Sequence, residues 1–416
     1  MSNITPLKTE AEQALIAQGA TVASDRKEAF ARFLEHGLPH RRVEAYHYTD
    51  LRALLKSAPP PAKAGGKITT KSPLADIDAH VLTLVDGRYE ASLSGALPKG
   101  VSVSASSALA DDGSNEKGLL SADPVIALNA AFSDSVLDIT IAAKAEIEKP
   151  ILIRLVTTGA HASYPRVRVS AGDHAKAFIV ESHEGGAAGS LIDSVLELRM
   201  GDHVTFDHLR LNLVDHAATV LTTFGGAMGK ESLYRGHNFV VGGSLSRHQI
   251  FFRFEGEQSK AEISSACLLN AKQHADTTLV VDHAVPECQS REFFAHVLDH
   301  ESTGVFQGKI IVRPGAQQTD GKMMSRAIVL EDGATMNNKP ELEIFADDVA
   351  CGHGATVGAL DEDLLFYLRA RGLPKAEAEA LMLQAFVGEA LEKIEQDAIR
   401  DTLEALAEQW LKARSA

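Results

Sequence analysis

Cysteine is scarce in this sequence: Cys267, Cys288 and Cys351 are the only three among 416 residues. So small and odd a number argues against a disulfide framework and favours free thiols in a reducing compartment. No apolar run approaches the roughly 18 residues of a membrane span, and the first residues do not combine basic charge with a following apolar segment, as a secretory signal does. We therefore expect a cytoplasmic protein that does not enter a membrane.

Positive charge is also in short supply. The sequence has 41 Lys and Arg against 56 Asp and Glu, a formal net charge of -15, and its basic residues are scattered. Nucleic-acid binding depends on clustered Lys and Arg, so we expect no nucleic-acid partner. The phosphate-binding motif G-x-x-x-x-G-K-[ST] and the nucleophile elbow G-x-S-x-G are both missing, which excludes ATP hydrolysis and serine-hydrolase chemistry by those routes.

The pattern of apolar residues divides the chain into three parts. Residues 1–75 show helical spacing followed by a linker rich in Pro, Gly and Lys at 56–73. Residues 76–355 consist of short β-type runs separated by turns, and helical stretches are nearly absent there. Residues 356–416 return to helical spacing, with apolar stripes that either pack into a small bundle or dock another protein.

A faint repeat runs through the β-rich part. Gly172-Asp173-His174 recurs as Gly201-Asp202-His203, 29 positions later, and Gly304 and Gly333 have the same spacing. Many short strands are compatible with a sandwich, a barrel or a solenoid. A turn glycine that recurs at this spacing suits the stacked coils of a β-helix, in which each coil buries its inner face against its neighbours.

Cys351 and His353 stand two positions apart at the end of the last β-type run, LEIFADDVACGH. If this run is one strand, both side chains project to the same face with Cα atoms about 6–7 Å apart. Thiolate and imidazole are ligands for iron or zinc, and two ligands leave positions for a second chain or a cluster. A cysteine nucleophile with a histidine base and a pair of wall-filling side chains stay open as alternatives, although the nucleophile has no evident oxyanion donors.

A second group of candidates lies at positions 283–300 and comprises His283, Cys288, Ser290, His296 and His300. His283 and Cys288 are five positions apart, which neither a strand face nor a helical turn brings together. The segment therefore offers no closed ligand set. Most histidines of the β-rich part are expected at strand ends or in turns.

Three segments resemble the SufB/SufD family of the SUF iron–sulfur cluster assembly system: HAVPECQS, VFQGKIIVRPGAQQTDGKMM and NNKPELEIFADDVACGHGATVGALDEDLLFYLRARG. The resemblance runs from His283 to Gly372, and YHYTDL at 46–51 is similar to a family segment near the N-terminus. Chains of the SufB branch have a cysteine directly after the Phe-Tyr pair of the next helix. Here Leu368 follows that pair, so the resemblance is to the SufD branch.

This resemblance implies a right-handed parallel β-helix between two helical parts. It implies a non-enzymatic scaffold subunit that pairs with a SufB-like paralogue through the β-helix and docks a SufC-like ATPase through residues 361–416. A β-helix that leaves backbone edges unpaired tends to find a mate, so we expect the isolated chain to form a homodimer.

In the family, the C-x-H pair lies near the interface between the two paralogues. The resemblance therefore implies that His353, with Cys351 second, binds iron or a transient iron–sulfur cluster there, and that the isolated chain holds no tightly bound cofactor. Two other functions stay open. One is an architectural partner of an ATPase without a metal role; the other is a β-helix enzyme acting on polysaccharides, for which Asp347 and Asp348 are the nearest acidic pair but point to opposite strand faces.

Overall fold

Runs rich in β-branched and aromatic residues form strands throughout the middle of the chain, as their composition favours. The computed structural model describes residues 8–69, 71–106 and 123–414. In these residues the strands form two long sheets, and the chain alternates between the sheets along most of its length. The result is a parallel β-helix of about eight coils with helices at both ends, which confirms the predicted mainly β fold.

The described residues contain twenty strands, labelled in chain order. Their bounds are β1 His80–Val85, β2 Arg88–Tyr89, β3 Val101–Ser106, β4 Val136–Ile141, β5 Ile151–Thr157, β6 Ala162–Ser163, β7 Arg166–Ala171, β8 Lys176–Gly185, β9 Leu191–Met200, β10 Thr205–Val214, β11 Thr219–Met228, β12 Leu233–Val240, β13 Leu245–Phe254, β14 Lys260–Leu269, β15 His274–His283, β16 Gln289–Leu298, β17 Thr303–Val312, β18 Asp320–Val329, β19 Thr335–Ile344 and β20 Gly352–Gly358.

Each sheet takes alternate strands of the coils. Sheet 1 runs in the order β2, β1, β5, β8, β10, β12, β14, β16, β18, β20, and sheet 2 in the order β3, β4, β7, β9, β11, β13, β15, β17, β19, with β6 beside β9. The β1–β2 and β3–β4 pairs are antiparallel. From β5 and β7 onward, neighbouring strands of a sheet are parallel, and paired residues are separated in sequence by about one coil. Lys176 of β8 and its partner Thr205 of β10 are an example. The glycine repeat therefore reports the length of a coil.

The recurring glycines mark a corner where successive coils meet backbone to backbone. A Cβ atom on Gly201 would lie 3.0 Å from the backbone nitrogen of Asp173, and one on Gly256 would lie 1.9 Å from the backbone nitrogen of Lys230. A side chain at these positions would push the coils apart. Asp173, which follows Gly172, accepts a hydrogen bond of 3.0 Å from the backbone N–H of Asp202. This hydrogen bond also joins the two successive coils at the corner.

Seven α-helices occur in the described residues. Their bounds are α1 Glu10–Gln18, α2 Lys27–His36, α3 Leu51–Leu54, α4 Pro124–Phe132, α5 Glu362–Ala370, α6 Lys375–Leu391 and α7 Asp397–Arg414. Helix α4 interrupts a region for which the sequence predicts nearly no helix. Asp123 caps this helix by accepting the backbone N–H of Val125 at 2.8 Å, and Pro124 occupies its first turn, an arrangement that favours helix initiation.

The helices cover the outer faces of the sheets. Helices α1, α2 and α4 pack with Leu191, Leu221 and Leu245 on sheet 2. Helices α6 and α7 pack on sheet 1, where Trp410 and Leu403 meet residues such as Phe239. The C-terminal stripes therefore pack mainly against the β-helix itself.

The strands begin at His80 and end at Gly358. The predicted boundaries at 75–76 and 355–356 stay a prediction, and positions 1–7, 70, 107–122 and 415–416 of that division lie outside the described residues. Within the described ranges, no helix is long and apolar enough to cross a membrane.

Candidate metal centre

Cys351 and His353 lie at the last coil of the β-helix. Strand β19 ends at Ile344 and β20 begins at Gly352, so LEIFADDVACGH is not one continuous strand and the condition for the expected spacing of the two side chains is not met. The chain leaves sheet 2, turns through residues 345–351 and enters sheet 1, because each coil must cross between the sheets. Cys351 is the last residue of that turn, and His353 is the second residue of the new strand.

Both side chains point in the direction of the β-helix interior. Met323 of β18 is the register partner of His353 and belongs to the apolar interior. Cys351 is half-buried and packs against the same interior. His353 is exposed, because β20 pairs only with β18 in the described part of the chain. The thiol of Cys351 therefore lies at the edge of the buried interior, and the imidazole of His353 lies at the exposed end of the β-helix.

Glu292 on β16, which the sequence did not single out, faces the same interior. It pairs with Met323, which in turn pairs with His353, so these residues form one column across three strands. Glu292 is 3% exposed, and burial raises its pKa to about 8. The nearby Ser290 hydroxyl favours the charged form, but neither carboxylate oxygen makes a hydrogen bond with the described part of the chain.

The environment of Cys351 is that of a protonated thiol. Burial raises its pKa, a backbone hydrogen bond from Gly321 acts in the opposite direction, and the carboxyl groups of Asp320 and Glu292 raise the pKa further. Nucleophilic cysteines have a lowered pKa, so the geometry does not favour a cysteine nucleophile. A bound metal cation would replace the proton and stabilise the thiolate.

The candidates at positions 283–300 are brought together only in part. Nε2 of His283 lies 3.0 Å from the hydroxyl oxygen of Ser290. The thiol of Cys288 instead contacts the backbone carbonyls of Gly256 and Pro286, each at 3.4 Å. Burial lowers the pKa of His283 to about 4, which keeps its imidazole neutral. These contacts tie neighbouring turns of the chain together.

The expectation that most histidines of the β-rich part lie at strand ends or in turns is confirmed. Of the twelve at positions 161–300, two are the first and last residues of β15, His274 and His283, and five lie in turns or bends: His161, His174, His203, His216 and His300. The other five are buried within strands, because the β-helix interior and the faces under the helices admit polar side chains; they are His183, His208, His237, His248 and His296.

One group of three side chains in the described residues brings its ligand atoms within 4.8 Å of one another: Asp299, His300 and Glu331. Asp299 already accepts a hydrogen bond of 2.7 Å from Nε of Arg414, and the other two are exposed. Around Cys351, no such set of three is assembled within the described ranges. A complete metal site there requires at least one further ligand to approach.

A groove of about 640 Å³ opens at this end of the molecule. Glu292, Met323, Cys351 and His353 contribute to its lining, as does Lys393 from the segment between α6 and α7. Cys351 and His353 therefore border one open space, and the two carboxylate oxygens of Glu292 are buried. Thiolate and imidazole suit iron or zinc.

The last coil also leaves two strand edges free. Strand β19 pairs with β17, β20 pairs with β18, and no further strand of the described residues covers either one. Apolar side chains beside these edges are exposed: Phe345 by 58%, Val357 by 52% and Ile344 by 39%. Unpaired backbone together with exposed apolar side chains is typical of a surface that another strand or subunit covers.

Helix α5 differs from the other C-terminal helices because none of its residues is buried. Asp361 caps its start by accepting the backbone N–H of Leu364 at 2.9 Å. Phe366 is 74% exposed, and Leu364 and Tyr367 are about half exposed. This short helix therefore exposes much of its apolar face, while Arg371 stacks over the Tyr367 ring.

The fold and the groove together define a parallel β-helix protein with a thiol–imidazole pair at its open end. Residues 154–386 match the family described as "SUF system FeS cluster assembly, SufBD core domain", and residues 5–153 match "SufBD protein N-terminal region". The chain belongs to the SufBD family of iron–sulfur cluster assembly proteins, and it is SufD-like.

Individual relatives agree with this assignment. The chain is 26% identical over 394 residues to the iron-sulfur cluster assembly protein SufD of Escherichia coli, with 92% of each chain covered. It is 30% identical over 387 residues to an iron-sulfur cluster assembly SufBD family protein of Synechocystis, covering 86% of this chain and 84% of the relative. Protein ABCI7, chloroplastic, of Arabidopsis thaliana is 27% identical over 390 residues, covering 87% and 80%.

Proposed function

We propose that this chain is a non-enzymatic scaffold subunit that presents Cys351 and His353 to iron, or to a transient iron–sulfur cluster, at an interface with a second β-helix subunit. The observation that carries the proposal is the position of the thiol–imidazole pair at the uncovered end of the β-helix. The metal is cargo in this role. Two ligands alone hold it weakly, so the isolated chain is expected to keep no tightly bound cofactor.

The partner at this end is a SufB-like paralogue. The free edges of β19 and β20 and the exposed Phe345 and Val357 support this part of the proposal, because a second β-helix can pair its own last strands with them. When the paralogue is missing, a second copy of the chain takes its place as a homodimer. The free thiols suit a reducing compartment, and we propose a cytoplasmic location.

The second partner is a SufC-like ATPase that docks through residues 361–416. Helices α6 and α7 bury their apolar residues on sheet 1, which leaves α5 as the surface for docking. Replacing Phe366 with Ser should leave folding unchanged and weaken ATPase capture at least tenfold. The matched control is Leu93→Ser, since Leu93 is an apolar residue that is 50% exposed but lies far along the chain from α5. Equal capture by both variants would contradict docking through α5.

The metal role is tested by reconstitution with both partners. His353→Ala should slow cluster formation at least tenfold, measured by the growth of iron–sulfur absorbance, and Cys351→Ser should slow it less. His36→Ala on the exposed surface of α2 is the matched control. Unchanged cluster formation in His353→Ala would defeat the ligand assignment.

An architectural role without metal binding is the second candidate, and the missing third ligand atom around Cys351 in the described residues favours it. The metal-binding role and the architectural role differ in the amount of iron that the complex is expected to bind. Anaerobic Fe²⁺ titration of the assembled complex should show a site that is lost in Cys351→Ser and His353→Ala if the metal role holds. Under the architectural alternative, both variants bind as much iron as the wild type.

A further inference from the structure

Glu292 is a buried acid without an ion-pair partner in the described residues. Basic side chains on its own strand, on the next strand and in the segment after α6 are engaged elsewhere. Arg291 donates to the backbone carbonyls of Ser290 and Asp320 and pairs with the Asp320 carboxylate. Lys322 lies 3.6 Å from the same carboxylate, and Lys393, whose charge also lowers the pKa of Glu292, lies 3.8 Å from Glu262. Neither oxygen of Glu292 makes a hydrogen bond within the described ranges. A buried polar group in this state calls for an explanation such as a bound ion or water.

The direction of the side chain is set by its strand. Ile263 on β14 and Met323 on β18, the register partners of Glu292, both belong to the interior apolar cluster. The next residue, Phe293, packs on the outer face under the C-terminal helices. Glu292 therefore points into the β-helix, on the side where Cys351 packs.

The column also relates Glu292 to His353. Two strand spacings separate their Cα atoms, about 10 Å at the usual 4.8 Å per strand. Side chains that converge from such a distance can share one metal ion. The residue between them is Met323, whose side chain is flexible and adapts to small changes in packing, and the side chain of His353 points in the same inward direction.

We propose that Glu292 is a third protein ligand, which joins Cys351 and His353 around one divalent metal ion such as Fe²⁺ when that ion enters the open end of the β-helix. This inference rests on the proposed function, because it extends the same site. The ion would pair the otherwise isolated carboxylate, and it would give the chain a sulfur–nitrogen–oxygen donor set with a remaining position for a partner's ligand or a sulfide.

The test is a titration of the full chain with Co²⁺ under anaerobic conditions, in which a cobalt–thiolate bond gives a charge-transfer absorption band. The wild type should develop the band, and Cys351→Ser should abolish it. Glu292→Gln and His353→Ala should each raise the apparent dissociation constant for Co²⁺ at least tenfold. Glu262→Gln is the matched control, because Glu262 lies on neighbouring β14 but is half-exposed and 3.8 Å from Lys393.

Glu292→Gln preserves shape and removes a buried unpaired acid, so its melting temperature should equal or exceed that of the wild type, which separates a binding defect from misfolding. If Glu292→Gln binds Co²⁺ as tightly as the wild type while the other two variants are impaired, the inference is overturned and the proposed function stands. If Cys351→Ser and His353→Ala also bind like the wild type, the proposed metal role itself fails.

Discussion

The guanidinium carbon of Arg247 lies 3.9 Å from the centroid of the Tyr46 ring. The same ring carries a hydroxyl that donates to the carboxylate of Asp123 at 2.8 Å, and Arg247 is ion-paired with Asp276. This buried network joins the N-terminal part, through YHYTDL, to sheet 2. The segment that resembles its family counterpart therefore fastens the helices to the β-helix.

We predict that Tyr46→Phe destabilises the fold by about 1–3 kcal/mol, because it removes the buried hydroxyl and leaves its partners unsatisfied. Urea unfolding followed by circular dichroism measures the change. Tyr48→Phe, in the same segment but half-exposed, is the control and should change stability by less than about 0.5 kcal/mol. Similar small values for both variants would show that the hydroxyl network does not fasten this segment.

At the corners of the coils, adding a single methyl group to a glycine is expected to lower the stability of the fold strongly. Gly256→Ala should destabilise the chain by about 3 kcal/mol or more, because its Cβ would lie 1.9 Å from a backbone nitrogen of the preceding coil and the coils must separate. Gly315→Ala is the control, since a Cβ there meets nothing within 4 Å. The comparison is made by thermal unfolding. Equal melting temperatures would refute the proposed backbone contact.

The buried histidines predict acid sensitivity. Burial lowers the pKa of His296 to about 4, below its ordinary value of about 6.5, so the unfolded chain binds the proton more readily. Stability is then fully present above about pH 6.5 and is lost as the pH falls towards 4, by up to about 3 kcal/mol for this group. His296→Gln should flatten that part of the stability profile in urea unfolding at pH 4.5–7.5.

Exposed His36→Gln serves as the control for replacing a histidine. If His296→Gln keeps the full pH dependence of the wild type, then protonation of His296 does not contribute to the loss of stability in acid.

The free edge of β20 predicts self-association. Val357→Lys should weaken the proposed homodimer of the isolated chain at least tenfold, because it places a charge among exposed apolar side chains at the unpaired strand. Analytical ultracentrifugation over a range of concentrations measures the dissociation constant. Leu54→Lys, at an exposed position in α3, should leave dimerisation unchanged, and an equally stable Val357→Lys dimer would place the contact elsewhere.

The sequence predicted the repeating coils of the β-helix, but it did not predict every helix of the fold. The glycine repeat was visible because successive backbones meet at Gly172 and Gly201, so the constraint is local and periodic. Helix α4 was missed because it is apolar on all sides and eight of its nine residues are buried, which removes the polar face that marks an amphipathic helix.

The residues of the candidate site could likewise be predicted only in part from the sequence. Cys351 and His353 could be selected from residue type and spacing, although the turn before β20 was not foreseen. Glu292 could not be selected, because its inward direction depends on the register of β16 with β18 and β20. Register is set by the packing of whole coils, and an acidic residue in an alternating run is more often solvent-facing.

X-ray absorption at the iron edge tests the central claim most directly. A complex of this chain with the proposed SufB-like and SufC-like partners is loaded anaerobically with Fe²⁺ and given no sulfur donor, and wild type is compared with Cys351→Ser and His353→Ala. We predict an iron–sulfur scattering contribution that falls in Cys351→Ser and an iron–imidazole contribution that falls in His353→Ala. Identical spectra for the three complexes would contradict the claim that this end of the β-helix binds iron.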